Sequence, residues 1–257
     1  MKVTVCELSN ERDALENQWS ALVDHCRREH SEMLLLPEMP FTPWLAGRYD
    51  PNQAAWMSAV AEHESWRGML VELAPATVVS TQPVVDGDSN HNEGFLWSAA
   101  AGYQPAHRKY YLPNEDGFWE ANWYQPGPKE FVPAELADLQ IGFLICTEMW
   151  FTEHARSYAR AGVELVAAPR STGMSSTEKW IAGGRAAAVM SGAFCLSSNR
   201  SGVGAAGFEW GGHGWIIEPE EGAILGLTSA QQPFLTIDID LEVARHAKQT
   251  YPRYVAE

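Results

Sequence analysis

Residues 141–170 read IGFLICTEMWFTEHARSYARAGVELVAAPR. The spacing predicts an apolar strand that stops at Cys146, a tight polar turn, a short helix over about residues 153–161 ended by Gly162, and a second apolar strand, VELVAAP. Cys146 therefore falls where a strand stops and a helix is about to start. A thiol there is held by the strand and lies close to backbone N–H groups that lack partners at the start of a turn or helix. It is expected to be exposed and favoured as the thiolate, which suits a nucleophile. The same residue can equally be a small hydrophobe filling a core gap, and this stretch alone does not choose.

Two further stretches bear on the choice. In LLLPEMPF, residues 34–41, an apolar run ends in a proline and then Glu38. A carboxylate directly after a buried strand is costly to desolvate unless it has a partner or a task, and general-base work is such a task; a solvated loop glutamate is the alternative. In HRKYYLPNEDGFWEANWYQPG, residues 107–127, Lys109 stands among aromatics with Glu120 further on. A lysine snorkelling from a surface loop is the alternative there.

Taken together, PEMPF with Glu38, HRKYYLP with Lys109 and GFLICTEMWFTEHAR with Cys146 resemble the Glu, Lys and Cys segments of the nitrilase (carbon-nitrogen hydrolase) superfamily, in the family's order. GAFCLSSNR and GGHGWIIEPEEGAIL resemble its later strands, so the resemblance spans nearly the whole chain. GFWEANWYQPG resembles the segment of N-carbamoylputrescine amidase-like enzymes in which a second glutamate follows the lysine at the same distance, making Glu120 a candidate fourth catalytic residue.

The resemblance implies a four-layer αββα sandwich with catalytic residues at strand ends between the sheets. It also implies dimerisation through helices near the nucleophile, in EHARSYARAG and SSTEKWIAGGRAAAVMSG. The implied activity is hydrolysis of a small amide or N-carbamoyl compound through a cysteine thioester, with no cofactor. Glu38 is then the general base, while Lys109 and the Thr147 backbone N–H hold the oxyanion. Trp150 stands where carbamoyl-amino-acid amidases carry an arginine. Trp150, Arg170 and Thr172 are candidate substrate-binding residues, Arg170 being alternatively expected to pair with Glu148 or Glu153. Trp44, Trp119 and Trp123 are candidates to line an apolar pocket. A nitrilase acting on nitriles and a catalytically idle interaction module are the competing readings.

Composition narrows the field independently. A chain of 257 residues, 46% hydrophobic and 20% charged, is long enough for one large domain, and no composition break argues for a second within residues 1–257. A net charge of −15, from 18 Lys and Arg against 33 Asp and Glu, argues against nucleic acid or an anionic membrane as partner. The opening MKVTVCELSN alternates like a strand and has no long apolar run, and no later run approaches bilayer length, so a cytoplasmic protein is expected. Cys6, Cys26, Cys146 and Cys195 are widely spaced and the eight histidines show no ligand spacing, so neither disulfides nor a metal is expected.

Elsewhere strands and helices alternate, which by itself predicts an α/β protein. Residues 2–8 read as a strand, and residues 14–30 as an amphipathic helix burying Leu15, Trp19, Leu22, Val23 and Cys26. Residues 51–69 read as a second helix, and ATVVSTQPV and GFLWSAA as a hairpin across the polar turn VDGDSNHNEG. Residues 103–140 read as a long connection, residues 175–191 as a helix of small residues, and GAFCLSSN, GHGWIIEP, GAILGL and PFLTIDID as strands before a final helical segment from about residue 241. The glycine-rich residues 201–214 lack GxxxxGK[ST] and read as a tight turn between strands.

Overall fold

The computed structural model describes residues 1–204 and 207–255. Its frame is a pair of β-sheets packed face to face. The first runs β5 (Gly102–Arg108), β4 (Ser89–Ser98), β3 (Thr77–Asp86), β2 (Met33–Leu35), β1 (Lys2–Ser9), with β13 (Phe234–Asp238) antiparallel to β1 on its other side. The second runs β9 (Phe194–Val203), β8 (Leu165–Pro169), β7 (Leu139–Phe143), β6 (Ala134–Leu136), with β11 (Trp215–Ile217) on β9 and β12 (Ile224–Leu227) on β11. Near its end β1 leaves β13: Glu7, Leu8 and Ser9 pair in parallel with Asn199, Arg200 and Ser201 of β9, joining the sheets at one edge.

The strands that pair in parallel, β1 with β2, β2 with β3, β7 with β8 and β8 with β9, are apolar on both faces because both faces are covered. Side chains alternate. Val3, Val5, Met33, Leu35 and Val79 of one sheet meet Ile141, Phe143, Leu165, Ala167 and Leu196 of the other in the central core. Their neighbours Leu34, Leu36 and Val78 face outward onto α1 (Arg12–Glu29) and α2 (Gln53–Met69). Leu144, Val166, Ala168 and Cys195 likewise face α4 (Thr152–Arg160) and α5 (Thr177–Ser191). Helix, sheet, sheet, helix is the four-layer arrangement that the sequence led us to expect. Each fully buried Leu, Ile or Val contributes about 1.5–3 kcal/mol, so the doubled apolar period is what makes two inner layers stable.

The expected apolar face of α1 is the observed one: Leu15, Trp19, Leu22, Val23 and Cys26 are all buried. Two expectations are corrected. The hairpin turn is far shorter than the polar run suggested, since β3 ends at Asp86 and β4 begins at Ser89. Asn90, His91 and Asn92 are strand residues whose polar side chains meet Gln53, the Gln125 carbonyl and Glu38. The long connection after residue 103 opens as a strand, β5, and later contains the single turn α3 (Glu120–Trp123). In the glycine-rich stretch, β9 ends at Val203 and pairs antiparallel with β10 (Glu209–Gly211); Ala205 and Ala206 lie outside the described residues. The fold closes with α6 (Leu241–Ala247), and no helix among the described residues is long and apolar enough to cross a membrane.

Candidate active site

Cys146 follows β7, at the point where the chain leaves the sheet and enters a 3-10 turn, Cys146–Trp150. Its φ is +48°, in the left-handed region that costs a non-glycine residue about 1–2 kcal/mol. Contrary to expectation the thiol is not exposed: Cys146 is 3% accessible and lies at the end of the inter-sheet core.

Glu38 arrives from the other sheet. β2 ends at Leu35, the Leu36 N–H continues the ladder to the Val79 carbonyl (2.9 Å), and Pro37 turns the chain so that Glu38 N–H meets the Arg170 carbonyl (3.2 Å). Lys109 follows β5, where alternation sends Arg108 outward to Asp86 (2.7 Å) and Glu93 (2.9 Å) while His107 and Lys109 point inward. Glu120 opens α3. Glu38, Lys109 and Glu120 are all fully buried.

These side chains form one cluster. Lys109 Nζ lies 2.8 Å from Glu38 Oε1 and 2.6 Å from Glu120 Oε2. Asn92 Nδ2 donates to the same Glu38 Oε1 (2.8 Å), and the Tyr124 hydroxyl donates to the same Glu120 Oε2. Each carboxylate therefore has one oxygen held by two donors. The other oxygen, Glu38 Oε2 and Glu120 Oε1, is buried without a protein partner. An unpaired buried carboxylate oxygen is costly, and two of them beside one shared ammonium are the kind of groups that a ligand's donors satisfy.

The electrostatics follow from one cation shared by two carboxylates. Burial pulls the Lys109 ammonium down, but Glu120 and then Glu38 push it up further, so it stays protonated. Burial raises Glu120 to about 7, against the pull of Lys109 and with the repulsion of Glu38. The two partners of this ion pair move in the same direction because Lys109 answers to both carboxylates at once. Cys146 is pushed up to about 12 by burial and then by Glu38, with Lys109 and the Ser171 backbone N–H opposing. The sequence-based expectation of a favoured thiolate is thus corrected: with two carboxylates against one ammonium, a thiolate would add a second net negative charge in a dry site.

Arg170 pairs with neither Glu148 nor Glu153. Its Nε donates to Ser197 Oγ (2.7 Å), its other nitrogens to Thr172 Oγ1 and the His213 carbonyl (both 2.8 Å), and the guanidinium lies 3.9 Å from the Trp215 ring centre. Glu148 is taken instead by His107, Tyr110 and Ile145. Thr172 is equally internal, receiving Arg170 and Asn199 Nδ2 (3.1 Å) on its hydroxyl. The Trp150 ring packs 5.1 Å from Trp180 and against Gly183, on the α5 side. Thr147 lies in the first turn after Cys146, where backbone donors have no carbonyl further back in the turn to meet.

Asn92, Tyr124 and Arg200 went unread in the sequence. Arg200 is fully buried on β9 and donates to the Glu38, Met39 and Thr42 carbonyls, to Ser171 Oγ (2.9 Å) and to Asn10 Oδ1 (2.8 Å), clamping the loop that follows Glu38. The loops carrying Glu38 and Glu120 continue into the walls of a groove of about 1280 Å³. Trp44, Tyr49, Trp123, Phe208 and Trp210 supply its aromatic surface, whereas Trp119 packs edge-on against Tyr49 (4.9 Å). Among the described residues no group of three or more His, Cys, Asp and Glu side chains is arranged to hold a metal ion.

The carbon-nitrogen hydrolase family model matches residues 2–249. A citrullinase of Francisella tularensis is 26% identical over 180 residues, covering 67% of this chain and 62% of that protein. An N-carbamoylputrescine amidase of Solanum lycopersicum is 30% identical over 81 residues, 29% of this chain and 27% of that one, so both matches span less than two thirds of these relatives. An omega-amidase of Mus musculus is 23% identical over 242 residues, covering 90% and 85%. In fold, a carbon-nitrogen hydrolase from Helicobacter pylori superposes with a TM-score of 0.86 at 18% identity, covering 99% of this chain and 94% of the other.

Proposed function

The chain belongs to the carbon-nitrogen hydrolase family, and from that premise we propose that it hydrolyses the C–N bond of a small linear amide or N-carbamoyl compound through a thioester on Cys146. The observation that carries the reading is a buried thiol close enough to Glu38, Lys109 and Glu120 to feel the charge of each, the two carboxylates each keeping one oxygen free and sharing the ammonium.

An amide carbonyl is a weak electrophile, and the thiol is protonated at neutral pH, so attack has to be coupled to removal of its proton. Glu38 Oε2 takes that proton while Sγ bonds to the carbonyl carbon. Glu38 Oε1 cannot serve, being held by Lys109 and Asn92. Lys109 spends two of its three N–H donors on Glu38 and Glu120 and directs the third, with the Thr147 N–H, at the developing oxyanion. Glu38 then protonates the departing nitrogen, the C–N bond breaks, and ammonia or an amine leaves. Glu38 next takes a proton from water, whose oxygen attacks the thioester, and returns it to Sγ. Glu120 Oε1 positions the substrate N–H or the water. The groove takes the non-reacting part of the substrate, and because Arg170 spends its nitrogens internally, the reading favours a substrate without a carboxylate at that point. The partially matching citrullinase and N-carbamoylputrescine amidase support a carbamoyl substrate.

The test is ammonia release from N-carbamoyl amines, N-carbamoyl amino acids, ω-amides of dicarboxylic acids, aliphatic amides and nitriles, with Cys146→Ala as control. Turnover of an amide or carbamoyl member that is lost in Cys146→Ala supports the reading; turnover that survives in the variant, or of nitriles only, refutes it. We extend the proposal to a homo-oligomer formed through α4 and α5, as the family resemblance implies. A monomer in sedimentation at micromolar concentration would overturn that part.

A further inference from the structure

Lys109 follows a strand of the first sheet and Cys146 a strand of the second, and no ladder joins β5 to β7. One fully buried side chain spans the gap. Glu148 Oε2 accepts the N–H of Ile145, the residue before the cysteine (2.8 Å), and Glu148 Oε1 accepts the N–H of Tyr110, the residue after the lysine (2.7 Å). His107 Nε2 lies 3.0 and 2.9 Å from the two oxygens, and Glu148 N–H returns to the Ile145 carbonyl (3.1 Å).

We infer that Glu148 is a positioning residue: a single buried carboxylate that sets where Cys146 stands relative to Lys109. The inference rests on reading Cys146 as the nucleophile and Lys109 as the oxyanion donor. Its physical basis is twofold. Cys146 holds a left-handed backbone conformation, which persists only where the surroundings fix it, and Glu148 binds both backbone polar groups of the preceding residue. Lys109 N–H makes a last ladder-like bond to the Asn92 carbonyl of its own sheet (2.9 Å), and the Tyr110 bond ties this end of the segment to the opposite sheet. Both oxygens of Glu148 face inward onto protein donors, so it acts through these two residues and does not itself meet substrate.

The test is a double-mutant cycle of Glu148→Gln and Lys109→Ala, reading the rate at which iodoacetamide alkylates Cys146, with Cys146→Ala as blank, and kcat and KM on any amide turned over. In Glu148→Gln an NH2 group faces one of the backbone N–H donors and releases one end of the bridge. A displacement of about 1 Å in the reacting groups costs about 10²-fold, so kcat should fall on that scale with KM little changed. Because the effect runs through Lys109, the double variant should lose less than the product of the two single losses. Unchanged kcat and alkylation in Glu148→Gln, or losses that simply multiply, overturn the inference. Should Glu148→Gln not fold, His107→Gln removes only the third donor and is expected to slow alkylation in the same direction; no slowing there overturns it too. Alkylation needs no substrate, so an absence of amide turnover in the wild type counts against the proposed function while the cycle still judges Glu148.

Discussion

Replacing Glu120 by glutamine should make the protein more stable above neutral pH while making it a poorer catalyst. Glu120 is fully buried, and burial raises its carboxyl from 4.5 to about 7. A folded-state pKa above the unfolded one means that the native state binds the extra proton, so this group's contribution to stability is present below pH 4.5 and is lost as pH rises through 7. At about 1.4 kcal/mol per pH unit the loss amounts to about 3 kcal/mol by pH 8. The glutamine side chain has almost the same shape, can still accept from Lys109, and has no proton to lose. Urea unfolding of wild type and Glu120→Gln from pH 5 to 8.5 should therefore give curves that diverge with rising pH, the variant being favoured by up to about 3 kcal/mol at the alkaline end. Turnover moves the opposite way, because the ionised Glu120 is what holds the Lys109 ammonium at 2.6 Å. The acid limb of the wild-type rate profile, with an apparent midpoint near 7, should flatten in the variant. Parallel stability curves, or a variant less stable than wild type at pH 8, would refute this account of the cluster.

Asn92→Ala removes one of two donors holding Glu38 Oε1, a bond to a charged group worth about 1.5–3 kcal/mol, so kcat should fall by about tenfold to a hundredfold with KM unchanged; wild-type kcat would sink the role given to Asn92. Gly142→Ala would place its Cβ 2.5–2.8 Å from Tyr158 ring atoms, and Tyr158 cannot swing away because its hydroxyl donates to the Phe143 carbonyl (2.8 Å). A loss of about 1–3 kcal/mol follows, or about 2–4 °C of Tm per kcal/mol, checked by calorimetry; an unshifted Tm would contradict it. Arg170→Lys should lower Tm but leave the ratio of kcat/KM between carbamoyl amines and carbamoyl amino acids as it was, and a changed ratio would mean that Arg170 does meet the substrate.

Much of the fold was legible because its signals are local. Strand and helix periods need only a few neighbouring residues, and the stripe of Leu15, Trp19, Leu22, Val23 and Cys26 names its own buried face. The hairpin turn was overread because the polar side chains of Asn90, His91 and Asn92 look the same in the sequence whether they face water or protein partners such as Gln53, the Gln125 carbonyl and Glu38. Strand β5 was missed for a related reason: YQPAHR has a proline and two long polar residues, and only pairing with β4 makes it a strand.

In the site, the positions of Glu38 and Cys146 at strand ends follow from local pattern, whereas Lys109 and Glu120 stood in a stretch without periodicity and joined them only through the resemblance to the nitrilase superfamily; β5 and α3, which place them, form only in the folded chain. What each atom is free to do could be read only from the folded molecule. Which oxygen of Glu38 is left open depends on Asn92, fifty-four residues away, and which partner takes Arg170 depends on Ser197 and His213. The thiol's protonation was misread for the same reason. A turn N–H favours a thiolate locally, but the sign is set by burial and by the charges of Glu38, Lys109 and Glu120, brought together from two sheets and a loop. Charge and solvation act through space, and the chain has to be folded before they can be summed.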